Sequence, residues 1–184
     1  MRHVIFAPNI TIDGCCDHTK VDGDDETLEY YTALMQEVDL LVFGRKTYQM
    51  MVPFWPDIAK NRSGQTQAMN DFARAFDSIN NIVVFSRSLG SAAGTKTRIV
   101  RTDPREEILK LKQEPGKAIL IGGVTIPSQL MEHGLVDEYR FVVHPMIAGE
   151  GRRPLEGVSL QERLQLVGSR IFPSGRVALS YLKR

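Results

Sequence analysis

The chain has almost no cysteine, no long apolar run and no surplus of either charge, and each shortage removes a class of protein. Its two cysteines, Cys15 and Cys16, are neighbours that cannot tie distant segments together, which argues against a secreted disulfide scaffold. No segment approaches the run of about 20 apolar residues that spans a bilayer. The first nine residues have the apolar content of a strand but lack the h-region and small-residue cleavage site of a signal peptide. Lys plus Arg number 23 against 22 Asp plus Glu, a net charge of +1 that leaves no excess to attract nucleic acid or an anionic membrane. A cytoplasmic protein with a small-molecule ligand is the expectation.

Familiar signatures are missing as well. No G-x-G-x-x-G follows the first apolar run, so the ordinary Rossmann fingerprint is absent. The segment Gly44-Arg45-Lys46-Thr47 resembles the end of a phosphate-binding P-loop, but the glycine that motif needs at position 40 is Leu40. Cys15, Cys16 and His18 lack the spacing and the fourth ligand of a metal site, and no metal is expected.

What is present is an alternation of short apolar runs with helical stretches over 184 residues, which predicts one α/β domain spanning 1–184 around a largely parallel sheet. Strands are expected at 3–7, 40–43, 82–85, near Ile99 and at 118–121. Helices are expected at 24–36, from Arg45 until Pro53, and at 65–76, 104–112 and 125–133. From Val136 the pattern changes to strands at 139–144, 165–172 and 177–182 with little helix between them, as antiparallel edge strands would give.

Three of the apolar runs stop at small or cationic residues: Gly44-Arg45-Lys46-Thr47, Ser86-Arg87-Ser88 and Gly122-Gly123. Open α/β sheets bind ligands at the carboxyl ends of their strands. At the first and third of these ends a helix begins at once, and its unpaired N–H groups form a site for phosphate. Two such sites suit a ligand with several phosphates.

Taken in order, Thr11-Ile12-Asp13-Gly14, Leu41 to Tyr48, Val84 to Leu89, Ile121-Gly122-Gly123, Leu135 to Glu138 and His144 to Gly151 resemble the dihydrofolate reductase superfamily, in its branch similar to the RibD C-terminal reductase domain. The resemblance implies a three-layer α/β/α fold, a mostly parallel sheet with antiparallel C-terminal strands, a homodimer, and NADPH lying extended across the strand ends. It further implies that Gly44, Arg45, Lys46 and Thr47 hold phosphates of the cofactor, with Ser86 and Arg87 beside the adenosine 2'-phosphate. Gly122, Gly123, Val124 and Thr125 would lie against the cofactor, with the Gly-Gly bond often cis in family members. Asp13 and Trp55 are the candidates for substrate contact, and Arg152 and Arg153 for a substrate phosphate. A first-helix carboxylate would come from Asp24, Asp25, Glu26 or Glu29, which sequence alone does not rank. The reaction implied is hydride transfer to a small heterocycle, as in dihydrofolate reductase or 5-amino-6-(5-phosphoribosylamino)uracil reductase. The alternative is an NADPH-binding protein without turnover.

Overall fold

The computed structural model describes residues 1–21 and 23–184. Among these described residues, nine strands join in one sheet. In chain order they are β1 (Val4–Phe6), β2 (Asn9–Thr11), β3 (Val38–Gly44), β4 (Asn81–Phe85), β5 (Thr97–Val100), β6 (Ala118–Gly122), β7 (Glu138–His144), β8 (Leu164–Ile171) and β9 (Val177–Lys183). The helices are α1 (Asp25–Glu37), α2 (Arg45–Asn61), α3 (Gln67–Ser78), α4 (Pro104–Gln113) and α5 (Thr125–Glu132). Across the sheet the order is β5-β4-β3-β6-β1-β7-β9-β8, with β2 pairing on β7.

The all-apolar runs are explained by burial on two sides. Successive side chains of a strand point to opposite faces. Val4, Phe6, Val42, Val83 and Ile121 therefore pack with Ile108 and Leu111 of α4 and Ile126 and Leu130 of α5. Ile5, Leu41, Phe43, Ile82 and Val84 pack on the other face with Leu34 of α1, Val52 of α2 and Phe72 and Phe76 of α3. This is the three-layer α/β/α arrangement. The antiparallel pairing of the tail runs entirely through β9, because β7 lies parallel to β1 and β2.

Two expectations need correction. Helix α2 does not stop at Pro53 but continues through Pro53 and Pro56 to Asn61. A proline inside a helix costs about 3 kcal/mol. Here the stripe Tyr48, Met51, Val52, Trp55 and Ile58 keeps helical spacing across both prolines and packs into the core. The loop expected after the first strand contains β2, separated from β1 by Ala7-Pro8. Both strands keep one register on β7, with Ile5 opposite Glu138 and Asn9 opposite Val142.

Candidate functional site

Strands β3 and β6 lie side by side and parallel, so Gly44 and Gly122-Gly123 leave the sheet at the same end. Helices α1, α3 and α4 each have a side-chain N-cap, from Asp24, Thr66 and Asp103. Helices α2 and α5, whose N-caps are Gly44 and Val124, have none. Their first-turn N–H groups thus receive no N-cap side chain, which is the condition under which a helix start accepts phosphate oxygens. Arg45 and Lys46 stand exposed on the first turn of α2, and Thr125 opens α5.

The two helix starts are pressed together. Gly123 has φ +91°, and a Cβ added there would come within 2.6 Å of Thr47 Oγ1. A Cβ on Gly122 would meet the Phe43 ring at 2.7 Å. Glycine is thus required by the chain's own packing before any ligand is considered. No cis peptide bond occurs among the described residues, so the Gly122-Gly123 bond is trans, unlike the form common in the family.

At the next strand end, register pairs Phe85 of β4 with Val100 of β5, so Ser86-Arg87 and Arg101 emerge beside each other. Together with Arg105, Asp103 and Gln129 they line a cavity of about 500 Å³ between β4, β5, α4 and α5. The Ser86 hydroxyl accepts from the backbone N–H of Leu89 at 2.9 Å and of Ser88 at 3.2 Å, which fixes the turn carrying Arg87. Arg101 donates to the Leu89 carbonyl at 2.8 Å. The sequence reading missed Arg101 and Arg105. Applying the strand-end rule to β5 as well as to its neighbours would have found Arg101.

The substrate candidates fare differently. Asp13 accepts from Thr11 Oγ1 at 2.5 Å, from Ala148 N at 3.0 Å and from Gly149 N at 2.9 Å. These bonds, Thr11's first, hold its carboxyl near about 2, so it is ionised at neutral pH and fastens the 146–153 loop. Arg153 donates to the Asp13 carbonyl at 3.2 Å, and Arg152 reaches Thr125 Oγ1 at 3.4 Å. Cys15 is buried, with a Cβ on Gly151 falling 2.6 Å from its Sγ, and Cys16 donates its thiol to the Arg152 carbonyl. Trp55 sits edge-on against Phe72 at 4.6 Å, in the contact between α2 and α3.

Among the first-helix carboxylates, Asp25 accepts from Thr66 Oγ1, Glu26 accepts from Ser174 N, and Glu29 is exposed. Asp24 caps α1 through Thr27 N and pairs with Arg176. Burial pushes its carboxyl up, but the Thr27 bonds and Arg176 outweigh that and hold it below the ordinary range. Arg176 in turn donates to His144 Nδ1 at 3.0 Å, and His144 Nε2 lies 3.2 Å from Asn9 Oδ1.

Comparison with known proteins agrees with this architecture. The uncharacterized protein YyaP of Bacillus subtilis (strain 168) is 28% identical over 184 residues, covering 98% of this chain and 94% of YyaP. A protein assigned to riboflavin biosynthesis from Shewanella sp. PV-4 superposes with a TM-score of 0.74 at 17% identity, over 99% of both chains. Dihydrofolate reductase from Enterococcus faecalis, in complex with NADP(H) and RAB-propyl, superposes with a TM-score of 0.64 at 12% identity, over 99% of this chain and 96% of that one. The model of the RibD C-terminal domain matches residues 2–178, and the chain belongs to that family.

Proposed function

We propose that this chain is an NADPH-dependent reductase acting on a small heterocyclic substrate of pteridine or pyrimidine type. The observation that carries the reading is the conjunction of two N-termini lacking a side-chain cap, on α2 and α5, with a cavity lined by Arg87, Arg101 and Arg105. One end fits a diphosphate and the other a compact dianion such as the adenosine 2'-phosphate. Gly44, Arg45, Lys46 and Thr47 from α2 and Gly122, Gly123, Val124 and Thr125 from α5 would hold the diphosphate and the ring beyond it. Ser86 and Arg87, with Arg101 and Arg105, would hold the adenosine phosphate.

When bound, NADPH supplies the hydride. The chain's own residues supply position and electrostatics. Asp13 is an ionised acceptor, so its part is to fasten the 146–153 loop and, through that loop, to bound the substrate side. Trp55 would act on the substrate only through the packing of α2. Residues 1–184 act as one cytoplasmic reductase domain, consistent with the lack of any helix among the described residues long and apolar enough to cross a membrane. A homodimer would form through β8, which is exposed along nearly its whole length and presents Leu166, Val167 and Ile171.

Steady oxidation of NADPH, followed by loss of nicotinamide absorbance with a panel of pterins, pyrimidines and quinones, tests the proposal. Turnover with a pterin or pyrimidine is expected. A second reading, a binder without turnover, is favoured by one fact: Asp13 and Asp24 are both held below the usual carboxylate range, so neither is a protonated acid at neutral pH. NADPH affinity without turnover on any of the panel would select it.

A further inference from the structure

The polar chain behind β2 has no part in holding the cofactor. It begins at Asp24, the N-cap of α1, and runs through Arg176 and His144 to the side chain of Asn9. An arginine N–H can only donate, so His144 Nδ1 is the acceptor and Nε2 carries the hydrogen. That N–H donates to Asn9 Oδ1 at 3.2 Å. The single hydrogen of the Tyr31 hydroxyl is shared between the Ala7 carbonyl at 3.1 Å and Asn9 Oδ1 at 3.3 Å, which places Tyr31 beside the same oxygen. His144 is 1% exposed, so this arrangement is built into the core.

The consequence is a fixed amide. With Oδ1 engaged by the His144 Nε2–H, the Asn9 NH2 group points the other way. No described residue accepts from it, and Asn9 is half-buried. Its place in the fold bears on what it could meet. The last β1–β6 pair is Phe6 with Ile121, and among the described residues β2 pairs with β7 alone, so its unpaired edge lies on the side of the sheet where β6 ends at Gly122. Contact with Tyr31 puts the Asn9 side chain on the α1 face, opposite the α4–α5 face that carries the arginine cavity.

We infer that Asn9 is a specificity-determining residue that donates from its NH2 group to a carbonyl or other acceptor of the substrate ring, with His144 and Arg176 as positioning residues. This rests on the reductase reading above and narrows its substrate to heterocycles that turn an acceptor, not an amino group, toward β2. A ring with amino groups in those positions would set donor against donor.

The test uses 5,6-diaminouracil and 2,4,5,6-tetraaminopyrimidine, which share a ring and differ in having carbonyl or amino groups at two positions. Each is titrated calorimetrically into the whole protein saturated with NADP+. Wild type is expected to bind the dioxo ring more tightly. Asn9→Asp, which replaces the donor with an acceptor, and Asn9→Ala, which removes it, should each weaken the dioxo ring by about 2-fold to 12-fold, the worth of one neutral hydrogen bond. Neither should weaken the tetraamino ring or NADP+. His144→Gln should shrink the preference without abolishing NADP+ binding. Equal affinity for both rings in wild type, no measurable affinity for either, or parallel losses in the variants would overturn the inference. Failure of wild type to bind NADP+ would instead overturn the cofactor reading on which it rests.

Discussion

The two sides of the strand ends handle charge in opposite ways. Around β4, β5, α4 and α5, the cations Arg87, Arg101 and Arg105 line an open cavity, and no carboxylate among the described residues forms an ion pair with any of them. Around β2, β7 and α1, charges are spent on one another and on the backbone: Arg176 on Asp24 and His144, and Asp13 on Ala148 and Gly149. A side whose cations are not neutralised by carboxylates suits an anion that arrives from solution. A side whose charges are committed recognises neutral groups by direction, because its donors are already aimed. On the proposed reading, the first side is the cofactor half and the second the substrate half.

The two halves meet at Gly122-Gly123, and breaking that junction should have the largest effect. Gly123→Val would force a branched residue into φ +91° and drive its Cβ to 2.6 Å from Thr47 Oγ1. Backbone strain and overpacking each cost about 1 to 3 kcal/mol. For a chain of this size each kcal/mol lowers Tm by about 2 to 4 °C. Calorimetry should therefore show a Tm lower by several degrees together with loss of NADPH binding. An unchanged Tm would mean that the turn has room to relax.

Arg101→Ala and Arg105→Ala come next and sharpen the comparison from the cofactor side. A hydrogen bond to a charged group is worth about 1.5 to 3 kcal/mol, and solvent exposure moves the loss toward the lower figure. Each variant should weaken NADPH by roughly 10-fold, less in high salt, and leave NADH unaffected in fluorescence titrations. Losses insensitive to salt would argue for a packing role.

Acid titration separates the halves by a different route. Asp13 has its carboxyl lowered from the ordinary 3.8 to about 2 by its bonds to Thr11, Ala148 and Gly149. A carboxyl whose folded value is depressed contributes stability that is complete above about 3.8 and lost as pH falls toward 2. Asp13→Asn should therefore remove part of the acid sensitivity between pH 4 and 2, read as a flatter stability curve. A variant with the wild-type acid profile would show that the loop is fastened elsewhere.

The smallest effect on the monomer should come from the far edge. Val167 on β8 is 50% exposed, and exposed substitutions shift stability by about 0.5 kcal/mol or less. Val167→Lys should leave Tm nearly unchanged yet convert the proposed dimer to monomer in light scattering. A wild-type monomer at micromolar concentration would contradict pairing through β8.

Much of this was legible in the sequence, for identifiable reasons. Strands such as Leu41 to Phe43 and Ile119 to Ile121 announced themselves because burial on both faces demands unbroken apolar residues. The glycines and cations after them were visible because strand ends are punctuated. What escaped notice lacked such local signals. Strand β2 is three residues long and follows a proline, and only its shared register with β1 on β7 makes it a strand. The passage of α2 through Pro53 is decided by packing on α3. The partnership of Asn9 with His144 and Arg176 joins residues more than 130 positions apart, and the pair of Arg87 and Arg101 depends on strand register. Asp13 was expected to touch substrate; its carboxylate turns toward Ala148 and Gly149, which no spacing rule foretells.

The central claim is that the arginine cavity reads the 2'-phosphate of NADPH. NADPH and NADH differ by that group alone, so calorimetric titration of wild type and Arg87→Ala with both cofactors tests the claim directly. Wild type should prefer NADPH, and Arg87→Ala should weaken NADPH by about 10-fold to 150-fold while changing NADH little, the range expected from hydrogen bonds of about 1.5 to 3 kcal/mol to a charged group. Equal losses for the two cofactors, or a wild type indifferent between them, would contradict it.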